Sequence, residues 1–197
     1  WDPFCGTGTI PIEAALIARK IAPGLKRSFL AETWSVLRSE HWQTAREEAE
    51  DSIQSEFPER ILGTDTNWRD LKLAREHAEL AGVSDDIHFQ QRNFSELSSQ
   101  RKYGCVICNP PYGHRMGDAQ EVLDLYKSFP LILRRLPTWS HYVLTSHPDF
   151  ERVLGQQANR RRKLYNGRIA CQYFQFHGPR PPRSKDPAQH QPHRNDL

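Results

Sequence analysis

The sharpest chemical signal in the sequence is the run Asn109-Pro110-Pro111-Tyr112. Two successive prolines fix the backbone, so that the Asn109 amide oxygen and the Pro110 carbonyl can face one cavity, both as hydrogen-bond acceptors. A planar amino group on a ring would give its two hydrogens to that pair, leaving its nitrogen lone pair aimed elsewhere, and Tyr112 could stack on the ring face. The plainer reading is a rigid polar loop after a strand. Three further polar sets stand where apolar runs end. Gly6 and Gly8 allow a tight turn and a close backbone approach to a ligand, and the helix behind them offers free N–H groups; a turn without a ligand is equally open. Asp65 is a carboxylate able to accept both hydroxyls of a ribose, or simply a helix N-cap. Asn93 can pair with an adenine amino edge or serve as an ordinary turn residue.

These residues need strands and helices to bring them together. The spacing of Ile10, Ala14, Ile17 and Ile21 predicts a helix directly after the glycines, broken at Pro23-Gly24. Residues 25–60 form an excursion with one amphipathic helix around 39–56, closed by Pro58. Residues 60–65 (RILGTD) predict a short buried strand ending in the acid. Thr66 or Asn67 caps the next helix, whose face is Leu71, Ala74, Ala78 and Ala81 and whose stop is Gly82. The alternation Ile87, Phe89, Gln91 predicts a strand reaching Asn93, and Tyr103 to Cys108 another, ended by Asn109-Pro110. A helix over about 119–136 must kink or split at Pro130. A strand over 141–146 and a short helix over 148–154 follow, then two strands flanking Asn166-Gly167, a strong hairpin signal. Strands alternating with helices give an α/β fold with a mainly parallel sheet, whose ligands sit at the C-terminal ends of the strands. The four polar sets all stand at that edge.

The glycine turn normally follows a buried strand, yet only Trp1 precedes Asp2, so the first strand is expected to be truncated. From Gly178 onward the chain holds five of the fourteen prolines and no aromatic residue, which predicts a disordered tail over 178–197 after one domain over 1–177. Lys plus Arg number 27 and Asp plus Glu 24, a net charge of +3, and the tail's four cations against two acids carry +2 of it. That balance permits a nucleic-acid partner without arguing for one. No apolar run is long enough for a membrane span and nothing resembles a secretory signal, so a soluble cytoplasmic protein is expected. Cys105 and Cys108 imitate a metal or redox pair, but residues three apart on a strand face opposite sides and no second ligand pair is suitably spaced; structural thiols and no metal are expected.

Asp2-Pro3-Phe4-Cys5-Gly6-Thr7-Gly8-Thr9 together with Asn109-Pro110-Pro111-Tyr112 resembles the class I S-adenosylmethionine-dependent methyltransferases that modify exocyclic amino groups of bases. More narrowly, DPFCGTGTIPIEAA, IAPGL with a following Phe and Trp, NPPYG, and KLYNG before a Tyr/Phe-rich strand resemble the THUMP-associated RNA methyltransferases. Within these the sequence is most similar to the bacterial 23S rRNA guanine-N2 methyltransferase group, whose members are often labelled N6-adenine-specific DNA methylases. The resemblance covers roughly residues 1–177. It implies a Rossmann-like domain, a mainly parallel sheet with helices on both faces and a C-terminal antiparallel hairpin, and it implies S-adenosylmethionine as cofactor. Asp2, Gly6 and Gly8 would hold the methionine part of the cofactor, Asp65 its ribose, and Asn93 with Phe94 its adenine. Asn109, Pro110 and Tyr112 would receive the target base, with Pro111 and Gly113 beside it. The expected partner is RNA, 23S rRNA first, reached with the help of an upstream THUMP-type domain. Asn93 stands where an aspartate is usual, which keeps hydrogen bonding and removes a charge.

Three functions follow. The first is methyl transfer to guanine N2 in 23S rRNA. Adenine N6 in DNA offers an amino group of the same kind, and a catalytically silent module binding RNA or a partner protein is the reading from another class. His114 beside the loop is a candidate substrate contact or a plain loop residue. The run Arg160 to Lys163 is either a phosphate contact or a solvated strand entrance.

Overall fold

The protein is described from a computed structural model that covers residues 1–112 and 118–182, with side chains described outside 118–121. Gly113 and His114, and residues 183–197 of the expected tail, lie outside the described residues.

Helix α1 (Thr9–Ala18) starts where Gly8, at φ 89°, turns the chain, and Pro11 falls in its first turn, where no N–H is needed. The buried side is Pro11, Ala15 and Leu16, not the Ile10–Ala14–Ile17–Ile21 stripe, and Ile17 is 75% exposed. The helix is apolar on nearly every side, so spacing alone does not select its inner face. Its end comes earlier than expected, at Ala18, with Lys20 at φ 54°. Helix α2 (Ser39–Asp51) also stops short of residue 56 and buries no side chain fully. The Arg46 guanidinium fastens this excursion, donating to the carbonyls of Leu25 at 2.7 Å and Arg27 at 2.8 Å and pairing with Glu32 at 2.6 Å.

Strand β1 (Ile61–Asp65) pairs in parallel with β2 (Ile87–Gln91), and helix α3 (Trp68–Ala81) connects them. Asn67 caps α3 by accepting from the Arg69 N–H at 3.0 Å, and Gly82, at φ 78°, ends it as expected. Strand β3 (Cys105–Cys108) pairs in parallel with β4 (Ser140–Thr145). Between them α4 (Asp118–Arg135) runs as one helix through Pro130, so of the expected kink or split the split does not occur. Helix α5 (Phe150–Leu154) leads to β5 (Arg160–Asn166) and β6 (Ile169–Phe176), which form an antiparallel hairpin joined to β4 through β6. Asn166 pairs with Ile169, so the two-residue loop is Gly167-Arg168. The turn therefore sits one residue later than Asn166-Gly167. Asn166 is left as the last residue of a strand.

Residues 1 and 2 lie between the two sheets. Trp1 accepts from the Ile107 N–H at 3.0 Å, while Asp2 bonds Leu62 and Thr64 of β1 at 2.9 and 2.8 Å, so the order across the molecule is β2-β1, residues 1–2, β3-β4-β6-β5. Two cores support it. One gathers Leu71, Ala74, Ala78, Ile87 and Phe89 with Ala15 and Leu16. The other, largely aromatic, gathers Phe94, Tyr126, Phe129, Phe150, Phe174 and Phe176.

Candidate active site

A cavity of about 440 Å³ opens at the C-terminal ends of β1 and β3. Asp65, Asn93, Phe94, Asn109 and Pro111 line it, each of them singled out in the sequence. Pro3, Phe4, Thr66 and Leu125 complete the wall and were not expected as site residues. Phe4 had a visible signal, since it lies inside DPFCGTG. Leu125 had none, because it comes from α4, far along the chain.

Asp65 ends β1, and both of its oxygens take backbone donors: Oδ2 accepts from the Gly6 N–H at 2.9 Å and Oδ1 from the Asn67 N–H at 2.9 Å. A carboxylate has about four acceptor directions, so each oxygen keeps one for a ligand hydroxyl. The Gly6 N–H thus serves the carboxylate. Gly8 lies against the protein: a Cβ there would meet the Ala74 Cβ at 3.0 Å and the Phe89 ring at 3.2 Å, so its missing side chain lets α1 pack on α3 and β2. Asp2 is buried beneath the turn, where its Oδ1 accepts from the Phe4 N–H at 3.0 Å. Burial pushes its carboxyl up to about 7, against the opposing pull of that hydrogen bond.

Asn93 caps a 3-10 turn (Phe94–Glu96), its Oδ1 accepting from the Ser95 N–H at 2.9 Å and hydroxyl at 2.8 Å. The amide Nδ2 has no bonding partner among the described residues, which suits it to donate into the cavity. Phe94 is 3% exposed and its ring packs at a tilt against Phe4, at 4.9 Å, and Phe129, at 4.4 Å.

The Asn109 loop is held by side chains from distant elements. Tyr112 donates its hydroxyl to Asn109 Oδ1 and accepts from Asn166 Nδ2 at 3.3 Å. Burial pushes the Tyr112 phenol up to about 12, so it stays protonated near neutral pH and remains a donor. One lone-pair direction of the Asn109 oxygen is therefore taken and one remains. Pro110 is buried, and the Pro111 carbonyl accepts from the Tyr126 hydroxyl at 3.0 Å. Tyr126 also meets Thr145 at 2.6 Å, which ties the loop to the end of β4. Tyr126, Thr145 and Asn166 were missed as site residues; only Asn166, inside KLYNG, carried a signal.

Over residues 1–175 the sequence matches the family described as RMKL-like, methyltransferase domain. The chain belongs to that family. YpsC of Bacillus subtilis (strain 168), provisionally named an RNA methyltransferase, is 41% identical over 175 residues, covering 89% of this chain and 46% of its own length. The ribosomal RNA large subunit methyltransferase K/L of Legionella pneumophila (strain Lens) is 36% identical, with 88% of this chain and 25% of its own length covered. The crystal structure of SMU.472 complexed with SAH, the demethylated form of S-adenosylmethionine, superposes with a TM-score of 0.86 at 36% identity over 92% of this chain and 48% of that one. This methyltransferase domain thus spans less than half the length of these relatives. The expected class I α/β fold with its closing hairpin is the fold of the domain, and the expected cofactor is the one whose product SMU.472 holds.

Cys105 is exposed and Cys108 buried, on opposite sides of β3, and all four cysteines are free. Among the described residues no helix is long and apolar enough to cross a membrane, and no group of three His, Cys, Asp or Glu side chains is close enough to share a metal.

Proposed function

We propose that this domain transfers the methyl group of S-adenosylmethionine to an exocyclic amino group of a base in RNA, with guanine N2 of 23S rRNA as the target. The observation that carries this reading is that Asp65 and Asn109, one suited to hydroxyls and the other to an amino group, line the same cavity. Its volume lies within the roughly 300–1,000 Å³ of small-molecule sites. The free acceptor directions of Asp65 suit ribose hydroxyls, and the Asn93 amide beside the Phe94 edge suits an adenine. Asp2, Gly6 and Gly8 are not among the residues that line this cavity; the methionine part is assigned to their turn by the sequence resemblance. The residues present fit the cofactor.

Bound there, S-adenosylmethionine supplies an electrophilic methyl group on its sulfonium. The chain's own work is mostly positioning. Asn109 Oδ1 accepts one hydrogen of the target amino group and the Pro110 carbonyl the other, which directs the nitrogen lone pair into the cavity. Both acceptors also favour the positive charge that develops on nitrogen during transfer. Phe4, Phe94 and Leu125 form an apolar wall that keeps water from the reacting atoms. A paired base has to be unpaired or extruded to reach Asn109. The relatives named for RNA modification support the substrate class, and the Legionella protein's name supports the ribosomal target. An upstream THUMP-type domain would bring the RNA, in the cytoplasm where ribosomes are assembled.

The test is nucleoside mass spectrometry after incubating the full-length protein with labelled S-adenosylmethionine and either ribosomal RNA or DNA. Labelled N2-methylguanosine is the expected product. N6-methyldeoxyadenosine from the DNA arm would move the assignment to a DNA adenine methylase. Cofactor binding with no product in either arm would point to a silent binding module.

A further inference from the structure

Strand β5 is the outer edge of the four-stranded sheet, and all seven of its residues are exposed. It opens with Arg160, Arg161, Arg162 and Lys163. Arg161 is engaged by Glu151 at 3.2 Å. Among the described residues Arg160, Arg162 and Lys163 have no ion-pair partner. Successive side chains point to opposite faces, so these three cations flank the open edge on both sides. Further along, Tyr165 is 64% exposed with Lys163 Nζ 5.5 Å from its ring centroid. The strand ends at Asn166, which reaches Tyr112 of the Asn109 loop at 3.3 Å. Six residues at about 3.3 Å each place Arg160 about 20 Å from that junction.

We infer that β5 is a track for the phosphates of an unpaired RNA strand, with Tyr165 as a stacking platform for a base beside the one presented to Asn109. This deepens the proposed function and rests on its RNA reading. A basic edge with an exposed aromatic ring is how sequence-tolerant single-strand binding is built: cations follow the backbone and a ring takes a base face. The track leads from the strand entrance to the catalytic loop without a break. Asn166 is its last residue and the loop's hydrogen-bond partner. The rival role for a charged edge is protection against strand-to-strand association between molecules.

The full-length triple variant Arg160→Ser/Arg162→Ser/Lys163→Ser separates the two roles. Its affinity for a short fluorescein-labelled single-stranded RNA of mixed sequence is read by anisotropy between about 50 and about 200 mM NaCl. Loss of three phosphate contacts lowers the slope of log affinity against log salt by about 2, since each contributes about 0.7 on a single strand. At the low-salt end affinity falls at least about tenfold. Cofactor affinity by calorimetry stays unchanged, showing that the variant is folded. The charge-preserving variant Arg160→Lys/Arg162→Lys/Lys163→Arg keeps the wild-type slope. A triple variant that binds RNA with the wild-type slope overturns the track, and one that in addition self-associates by light scattering assigns β5 to edge protection. Wild-type protein that binds no RNA overturns the track together with the RNA reading; wild-type binding with an unaltered variant overturns the track alone.

Discussion

Asp65 and Asn109 line one cavity, yet they are held by different means. Asp65 is fixed by two backbone N–H groups, from Gly6 and Asn67. Asn109 is fixed by a side chain, Tyr112, which is itself held by Asn166 from the hairpin, and its loop is anchored by Tyr126 from α4. Backbone donors stay in place through most substitutions of the residues that carry them. Side-chain donors do not. The proposed cofactor side is therefore expected to be sensitive at Asp65 and tolerant around it, and the proposed base side sensitive at residues far from the cavity.

The largest effect is expected at Asn109. Asn109→Ala lowers turnover at saturating cofactor by about a hundredfold or more, the scale for removing one group that stabilises transition-state charge. Cofactor affinity by calorimetry stays nearly intact. Unchanged turnover would remove Asn109 from the reaction and the comparison with it.

Asp65→Ala has the opposite split. Hydrogen bonds to charged groups are worth about 1.5–3 kcal/mol, so cofactor binding weakens about ten- to a hundredfold, and turnover recovers when cofactor is raised. A turnover defect that persists at saturation would mean the two sides are not separable.

Asn166→Ala is the sharpest test of control from a distance. Loss of one ordinary hydrogen bond, about 1 kcal/mol, lowers turnover about fivefold with cofactor affinity unchanged. Adding it to Tyr112→Phe costs little more, because Asn166 acts through the Tyr112 hydroxyl. Full additivity of the two would break that chain of contact.

The smallest effect is on stability against pH, and it too differs between the regions. Burial raises the Asp2 carboxyl to about 7, above its ordinary 3.8, so its protonated form belongs to the folded state and its contribution is lost as pH rises from about 4 to about 7. Burial lowers the His141 imidazole in β4 to about 4 from its ordinary 6.5, so its neutral form belongs to the folded state and its contribution is lost as pH falls from about 6.5 to about 4. The two slopes oppose each other across the same window. Thermal melts should show Asp2→Asn with stability that rises more steeply with pH than wild type, and His141→Gln with stability that rises less steeply than wild type. Parallel profiles for the two variants would refute the assignment of opposite signs.

Much of the fold was legible because its boundaries are local events. Asn67 and Gly82 bracket α3 through a side-chain cap and a left-handed stop, both carried by the residue type at that position. Where a boundary depends on competing tertiary contacts, local spacing does not decide it. Ile17 continues the apolar spacing of α1 but faces outward, since the side turned to the core was chosen by the packing of Ala15 and Leu16 against α3 and β2. Asn166-Gly167 marked a hairpin correctly, while the pairing of β5 with β6 moved the loop by one residue. That shift is what left Asn166 in a strand and able to meet Tyr112.

The sequence by itself determined that four polar sets stand at the ends of strands, since strand length, the proline pair and the glycine turn are written in short stretches of chain. Tertiary structure alone decided which acceptor directions stay open. Asp65 Oδ2 meets the Gly6 N–H only because residues 1–2 lie beside β1, and the Asn109 oxygen meets Tyr112 in a loop steadied by α4 and the hairpin. Gly8 shows the same division: its type is visible in the sequence, but that Ala74 and Phe89 fill the space of its missing side chain is a fact of packing. Residue type fixes what a group can donate or accept, and only the fold fixes which of those capacities are already used.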